Sequence, residues 1–327
     1  MTVYENLQEI ADCFEVFLFD AYGVFWNGSG FYKNSKETMQ KLVQNGKIVV
    51  VVSNSTLMHA DMLASYERKG MRVGREYNFM VSSGEVLRKD LAEQRLTFAS
   101  CANPLNYFVI GSPNEKLFAD TKYKQVENLE EADFVFCGVP FLNQKQVRDF
   151  SQYQADFYPA KADKNGEICC WDTAVLGPFV PILEKAAKLR LPVLNANPDF
   201  MAQEGHQLAE YKEAVFVVRN GSLAEFLRQK GNEVLEYGKP HQNIYDYVFD
   251  ILKKHNIRCP KSKICMVGDT VRTDIKGALN ARIAPVLCLE TGVTAREILL
   301  GNSLENLCEN EKIDVQQIIK INSVGGR

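Results

Sequence analysis

Two short, continuous apolar runs near the start of the chain restrict the fold more than any other feature. Val16 to Phe19 and Ile48 to Val52 each end in polar residues, and every side chain of the second run is β-branched. Such runs are typical of strands buried on both faces of a parallel sheet. Helical sequence follows each run, with Ser35 as one predicted N-cap and Ser55 or Thr56 as another. The order strand, helix, strand, helix predicts a doubly wound α/β unit.

The same alternation returns late in the chain. We predict a helix over Gln242 to His255, a buried strand over Ile264 to Val267, a helix over Thr273 to Arg282 and the last strand over Pro285 to Leu289. The two ends of the chain therefore predict one shared sheet.

The middle of the chain carries a second set of apolar runs. Tyr107 to Ile110, Phe134 to Cys137 and Val193 to Asn195 alternate with helical sequence such as Ile182 to Leu189. This pattern predicts a second α/β domain inserted into the first. Gln152 to Asp172 has mixed polar character and weak periodicity, which indicates a long loop or small excursion.

Composition excludes several classes of protein. The chain has 327 residues, of which 46% are hydrophobic and 24% charged, as in ordinary globular proteins, and about 150 residues per domain suggests two domains. The 38 basic and 41 acidic residues leave a net charge of -3, so we expect neither a nucleic acid nor an anionic membrane as partner. No apolar run approaches the ~20 residues that span a bilayer.

Cysteine and histidine usage points to a reduced compartment and away from zinc. The nine cysteines include no C-x-x-C pair, and the four histidines show no H-x-x-x-H spacing. The first residues lack the basic and apolar segments of a signal peptide. We therefore expect a cytoplasmic protein with free thiols.

Polar residues stand at four points where a predicted strand ends or a predicted helix begins. Open parallel sheets bind their ligands at the carboxyl ends of the strands. Asp20 precedes a turn glycine and is a candidate nucleophile or metal ligand, or else a loop cap. Ser53 and Asn54 precede a helix, whose unpaired amides favour a phosphate; an ordinary N-cap is the alternative.

Two further sites complete this set. Lys239 stands between Gly238 and Pro240, which restricts its freedom and makes it a candidate for a fixed phosphate ligand rather than a solvated surface charge. Asp269 and Asp274 flank a predicted strand-to-helix turn, where carboxylates suit Mg²⁺. A capped helix start is the structural alternative for this pair.

Taken in order, these motifs resemble a known family. D-x-x-G-V at Asp20, Ser53-Asn54, G-K-P at Lys239 and G-D-x-x-x-T-D from Gly268 resemble the four-motif signature of the haloacid dehalogenase superfamily. The long stretch between the second and third motifs resembles the cap insertion of its class IIA members, the nitrophenyl-phosphatase-like and pyridoxal-phosphate-phosphatase-like enzymes. The resemblance implies a Rossmann-like three-layer core with a parallel sheet, from residues 1–98 and 233–327, and an inserted α/β cap domain over 99–232.

The resemblance also implies a reaction. Asp20 would be the nucleophile that becomes an aspartyl phosphate, and Mg²⁺ would be held by Asp20, the carbonyl of Tyr22 and Asp269, with Asp274 in support. The phosphate oxygens would be bound by Ser53, Asn54 and Lys239. The expected substrate is a small phosphorylated metabolite. In the cap, Asn197 and Asp199, with Phe200 beside them, are candidates for substrate specificity, or else a turn with a buried aromatic ring.

One position departs from the family pattern. Phosphatases of the superfamily resemble D-x-D-G, whose second aspartate protonates the leaving group, whereas this chain has Tyr22 there. A tyrosine with a reference pKa of about 10 is a poor acid or base at neutral pH. We expect its ring to pack under the cap and only its carbonyl to act. A phosphohydrolase of reduced rate or narrowed range is the first hypothesis, and a non-catalytic phosphate sensor or partner-binding protein is the second. A dinucleotide-binding oxidoreductase is disfavoured because no G-x-G-x-x-G follows the early strands.

Overall fold

A computed structural model describes residues 2–112, 114–140, 176–204 and 215–326 of the chain. The predicted excursion over Gln152 to Asp172 lies outside these residues. The described strands are numbered in chain order as β1 (Val3–Asn6), β2 (Val16–Phe19), β3 (Ile48–Ser53), β4 (Phe79–Ser82), β5 (Asn106–Ile110), β6 (Lys124–Gln125), β7 (Phe134–Cys137), β8 (Val193–Asn195), β9 (Met201–Glu204), β10 (Val215–Val218), β11 (Val234–Glu236), β12 (Ile264–Gly268), β13 (Ala284–Cys288) and β14 (Ile319–Ser323).

The described α-helices are α1 (Ser35–Gln44), α2 (His59–Arg68), α3 (Ser83–Ala92), α4 (Glu115–Phe118), α5 (Val180–Lys188), α6 (Asn220–Gln229), α7 (Gln242–Lys254), α8 (Lys276–Ala281), α9 (Gly292–Leu299) and α10 (Leu304–Asn310). Short 3₁₀ turns occupy Leu7–Cys13, Leu129–Glu131, Gly177–Phe179, Lys261–Lys263 and Val315–Gln317, and one π-helical turn spans Val271–Ile275. None of the described helices has both the length and the apolar character needed to cross a membrane.

The strands form two parallel sheets and one hairpin. The larger sheet has seven strands in the order β1-β14-β13-β12-β2-β3-β4, and the smaller has five in the order β11-β8-β7-β5-β6. β9 and β10 pair antiparallel. The expected boundary at residue 233 places β11 with the core, whereas its hydrogen bonds join it to β8 in the smaller sheet.

Side chains of the central strands alternate between two apolar layers. Leu18 and Val50 pack on one face of the large sheet with residues of α3 and α7, such as Leu87. Phe17 and Val49 pack on the other face, against the side of α1 and α2. This arrangement of helix, sheet and helix confirms the predicted α/β class and the Rossmann-like three-layer core.

Two predicted helix caps are wrong for the same physical reason. The hydroxyl of Ser35 donates to the carbonyls of Phe25 and Tyr32, at 3.0 and 2.8 Å, and Asn34 takes the N-cap position. The second helix begins only at His59, because the carbonyl of Ser55 accepts from the backbone of Gly84 at 3.1 Å. Tertiary hydrogen bonds therefore override local capping at both sites.

The predicted last strand is also not the last. The strand over Ala284–Cys288 matches the predicted one within a residue, but β14 follows it and pairs with both β13 and β1. The predicted helix from Thr273 begins as the π-helical turn and continues as α8.

Candidate active site

The large sheet brings the predicted motifs to one edge. β12, β2 and β3 are neighbours, so Asp269, Asp20 and Ser53 stand at the adjoining carboxyl ends of three parallel strands. The backbone N–H of Asp20 donates to the carbonyl of Val267 at 2.9 Å, which ties the first turn to β12. Topology alone therefore gathers residues that lie far apart in sequence.

Lys239 is the cation at the centre of this edge. Its Nζ lies 2.5 Å from Oδ1 of Asp20 and 2.7 Å from Oδ1 of Asp274, and its side chain is 1% exposed. Burial alone would lower the pKa of Lys239, but Asp20, Asp274 and Asp199 outweigh it and raise the pKa well above the usual range. The lysine is therefore a fixed positive charge beside the predicted nucleophile.

Asn54 holds the backbone of this lysine. Its Oδ1 accepts from the N–H of Lys239 at 2.7 Å, and its Nδ2 donates to the carbonyl of Lys239 at 3.0 Å and to Oδ1 of Asp199 at 3.0 Å. The side-chain amide predicted to contact phosphate is thus engaged with the protein. Ser53 is buried nearby, and its hydroxyl accepts from the N–H of Ser55 at 3.2 Å.

The turn from Asp269 to Asp274 is closed by its second carboxylate. Oδ2 of Asp274 accepts from the N–H groups of Asp269 and Thr270, each at 3.1 Å, across the π-helical turn. Oδ2 of Asp269 accepts from the N–H of Val293 at 2.6 Å. Asp274 therefore orients the turn, and α9 helps to orient Asp269.

Two glycines make room for the carboxylate of Asp269. Gly23 and Gly292 have φ of +84° and +75°, and a Cβ on either would lie 2.3 or 2.0 Å from Oδ2 of Asp269. Only glycine fits both the backbone and the contact. Gly292 was not among the predicted site residues, although a glycine shortly after a buried strand is a signal that sequence offers.

The site combines three carboxylates with the ammonium group of Lys239. Asp20, Asp269 and Asp274 present oxygens that all lie within 4.8 Å of one another. Burial, partly opposed by Lys239, raises the pKa of Asp20 to about 7, and burial together with Asp274 and Asp20 raises that of Asp269. A buried excess of negative charge among oxygen donors fits a divalent cation such as Mg²⁺.

A cavity of about 260 Å³ opens beside this cluster. Its lining includes the predicted residues Asp20, Tyr22, Ser53, Asn54, Asp269 and Asp274, together with Asn197 and Asp199 from the region between the two halves of the core. Gln203 and Arg219 also line it and were not predicted. Lys239 is not among the lining residues, but its Nζ contacts Asp20, which is.

Tyr22 lies at the rim of the cavity with its ring half-buried. Its ring joins the apolar layer that contains Trp26, and Nζ of Lys69 lies 5.2 Å from its centroid. Burial raises the pKa of Tyr22, although Arg219 acts in the opposite direction. The phenol therefore stays protonated at neutral pH.

Glu236 anchors the strand that leads into the lysine turn. It accepts from Nδ2 of Asn195 at 2.8 Å and from Nη2 of Arg228 at 2.5 Å, and Nε2 of His241 lies 3.2 Å away. Burial would raise the pKa of Glu236, but His241 and Arg228 outweigh it and hold the pKa at about 2. Because this is below the value of 4.5 in an unfolded chain, its stabilisation is present above pH 4.5 and is lost as the pH falls towards 2.

We expect Glu236→Gln to lower the free energy of unfolding at pH 7 by about 1–3 kcal/mol, because a buried charge network loses its centre. Urea denaturation at pH 7 and pH 3.5 would measure this, and the deficit should shrink at the lower pH. The exposed Glu184→Gln on α5 is the control. An equal deficit at both pH values would contradict the ionic role.

Two family profiles that match this chain describe the same family. A profile described as "Haloacid dehalogenase-like hydrolase" matches residues 17–122, and one described as "HAD-hydrolase-like" matches residues 236–307. Among curated relatives, phosphoglycolate phosphatase 1A, chloroplastic, of Arabidopsis thaliana is 26% identical over 90% of this chain and 74% of its own. The 4-nitrophenylphosphatase of Schizosaccharomyces pombe is 23% identical over 90% of each chain.

Solved structures share the fold. A haloacid dehalogenase-like hydrolase from Brucella suis superposes with a TM-score of 0.70 at 23% identity, covering 98% of this chain and 100% of its own. The 4-nitrophenylphosphatase of Thermotoga maritima has a TM-score of 0.58 at 21% identity, with 97% of each chain covered. The two profiles, which together match more than half of the chain, describe the same family, and the chain belongs to the haloacid dehalogenase-like hydrolases.

Proposed function

We propose that the protein is a Mg²⁺-dependent phosphohydrolase that cleaves a small phosphomonoester through an aspartyl-phosphate intermediate. The observation that carries this proposal is the position of Nζ of Lys239, 2.5 Å from Oδ1 of Asp20. A fixed cation beside a carboxylate can hold a phosphate dianion against the repulsion of its nucleophile. The phosphatase names of the curated relatives support the reaction class.

The proposed reaction has two displacements. An oxygen of Asp20 forms a bond to phosphorus, while the bond to the leaving oxygen breaks and its electron pair leaves with that oxygen. Water then attacks the aspartyl phosphate, which releases inorganic phosphate and restores Asp20.

The surrounding residues would bind the phosphoryl group and place the nucleophile. Lys239 and the hydroxyl of Ser53 would neutralise and bind its nonbridging oxygens, while Asn54 holds the backbone of Lys239 in place. Asp20, Asp269 and the carbonyl of Tyr22 would hold Mg²⁺, with Asp274 in support, and the bound ion would neutralise phosphoryl charge.

We propose further that residues 1–98 and 233–327 form the catalytic core and that 99–232 forms the cap. The grouping of β5 to β8 in one sheet supports this division, and the pairing of β11 suggests that the cap sheet extends a few residues past 233. Asp199 and Arg219 would then be the charged residues that the described part of the cap contributes to the catalytic cavity. A cytoplasmic location belongs to the same proposal, because the seven described cysteines are unpaired.

Hydrolysis of 4-nitrophenyl phosphate, measured with Mg²⁺ and with excess chelator, tests the proposal directly. We expect turnover with Mg²⁺ and its loss with the chelator. A panel that includes phosphoglycolate would follow, since relatives are named for phosphatases of both compounds. Tight binding of phosphate without any turnover would instead support the sensor hypothesis that Tyr22 suggests.

A prediction about the metal ligands can be checked without activity. Mg²⁺ should raise the melting temperature, because it binds the folded site and has little affinity for the unfolded chain. Asp269→Asn should remove that shift, which at 100 times the dissociation constant corresponds to about 2.7 kcal/mol. Differential scanning fluorimetry measures it, with Asp314→Asn as control because Asp314 caps the 3₁₀ turn before β14 and does not line the cavity. An unchanged shift in Asp269→Asn would exclude this ligand.

A further inference from the structure

A second cavity, of about 370 Å³, lies next to the catalytic one. It is bounded by the turn after β12, by α9 and α10 of the core, and by the chain from Asp199 to Met201. Five residues line both cavities: Asp199, Met201, Thr270, Thr273 and Val293. The two spaces are therefore separated only by this shared wall.

Met201 is the part of the wall best able to move. Its side chain is buried against Phe200 and Val293, which brings β9 into contact with α9. An unbranched thioether adopts several rotamers at little energetic penalty. A leaving group too long for the catalytic cavity would pass this side chain and enter the second cavity.

Arg272, which lines the second cavity, is already engaged with a ring and two carboxylates. Its guanidinium lies 3.5 Å from the ring centroid of Phe200. Glu225 and Glu311 lie on either side of it, at 3.6 and 3.5 Å. Arg272 is thus held by two protein carboxylates, which Arg228 and Lys276 also contact.

Glu297 has no such partner in the part of the chain that the structure describes. It stands one turn beyond Val293 on α9, about 6 Å further along the helix axis, and lines only the second cavity. Its Oε2 accepts from Nδ2 of Asn302 at 3.0 Å, and within the described residues no cation lies at ion-pair distance from it. The far side of the cavity therefore carries an uncompensated negative charge near apolar side chains such as Leu307.

We propose that the second cavity binds the distal part of the substrate's leaving group, and that it selects a leaving group with an apolar body ending in a cationic amine over one ending in a carboxylate. This inference rests on the proposed phosphohydrolase function. The inference applies to leaving groups that extend past Met201. Shorter anionic groups would remain in the catalytic cavity, which Arg219 lines.

Three aryl phosphates of similar phenol acidity test the selection: 4-ethylphenyl phosphate, 4-(2-aminoethyl)phenyl phosphate and 3-(4-phosphonooxyphenyl)propanoate. At pH 8 and low ionic strength we expect kcat/KM to be highest for the amine and lowest for the carboxylate. Glu297→Gln should lower the ratio of amine to carboxylate about three- to tenfold, the effect of one half-buried charge. Glu297→Lys should reverse the preference.

The neutral ester separates this inference from the proposed function. Its kcat/KM should be the same in the wild type and in the control Glu305→Gln on the exposed side of α10, and this control should also keep the wild-type ratio of amine to carboxylate. Absence of turnover of all three esters would refute the proposed function itself. Turnover with equal kcat/KM for amine and carboxylate, or a ratio that Glu297→Lys does not change, would overturn the inference and leave the phosphohydrolase intact.

Discussion

Asp20→Asn should abolish phosphatase turnover, with a fall in kcat of about 10⁴-fold or more. An amide cannot form the acyl phosphate, so neither of the two displacements can take place. The substitution nearly preserves size, and Lys239 keeps its contact with Asp274 at 2.7 Å. The protein should therefore remain folded. Steady-state hydrolysis of 4-nitrophenyl phosphate, with the melting temperature measured alongside, checks the result.

The exposed Asp12→Asn is a matched control for the same chemical change away from the site. It should retain full activity. Retention of more than a few per cent of wild-type activity by a folded, contaminant-free Asp20→Asn variant would show that another group attacks phosphorus. Brief quenching of the wild type in acid should also trap labelled phosphate on the chain, and the Asp20→Asn variant should trap none.

The central strands can be predicted from sequence because their environment is uniform. Val16 to Phe19 is buried at every position, so its run of apolar residues is unbroken. The two strands at the β1 side of the large sheet give no such pattern. Val3 to Asn6 alternates between exposed and half-buried positions, and β14 contains Lys320, whose Nζ is held by the carbonyls of Val315 and Ile318. A buried lysine satisfied by nearby backbone carbonyls interrupts the hydrophobic pattern of a strand.

The residues of the candidate site also differ in whether the sequence predicts them. Motif residues such as Asp20 and Asp269 follow buried strands, and parallel pairing of β12 with β2 brings them together without further information. Arg219 and Gln203 reach the cavity from the chain around β9 and β10. No local motif marks them, because their position depends on how the hairpin packs against the core. Asn54 illustrates a third case, since its sequence context predicts a phosphate contact but gives no sign that its side chain also holds the backbone of Lys239.

Tyr22 is the feature that sets this chain apart from the family pattern, and its surroundings explain how the ring is tolerated. Nζ of Lys69 lies within 5.2 Å of the ring centroids of Tyr22, Trp26 and Tyr66, so the three rings share one ammonium group. Such cation–π contacts contribute about 0.5–1 kcal/mol each at partly exposed sites. The aromatic side chain thus stabilises its neighbourhood where the family pattern has a carboxylate.

Replacing Tyr22 by aspartate should restore the missing proton donor. Alkyl phosphates expel a basic alkoxide that needs protonation, whereas aryl phosphates expel a more stable phenolate, so the variant should raise alkyl-ester turnover far more than aryl-ester turnover. The gain in the ratio of alkyl to aryl kcat/KM should reach about 10²- to 10⁴-fold, the usual contribution of a positioned acid. Breakdown of the aspartyl phosphate should also speed up, since the same carboxylate can activate water.

Tyr22→Phe is the matched control because it keeps the ring over Lys69 and removes only the hydroxyl. Since burial raises the pKa of Tyr22 and keeps its hydroxyl protonated, we expect its loss to leave the ratio of alkyl to aryl turnover unchanged. The aspartate variant loses the contacts of a half-buried ring, about 1–3 kcal/mol of stability, while Lys69 keeps Trp26 and Tyr66. A folded, Mg²⁺-binding Tyr22→Asp protein with an unaltered ratio would show that residue 22 does not occupy the acid's position. A large loss of activity in Tyr22→Phe would instead assign catalysis to the phenol itself.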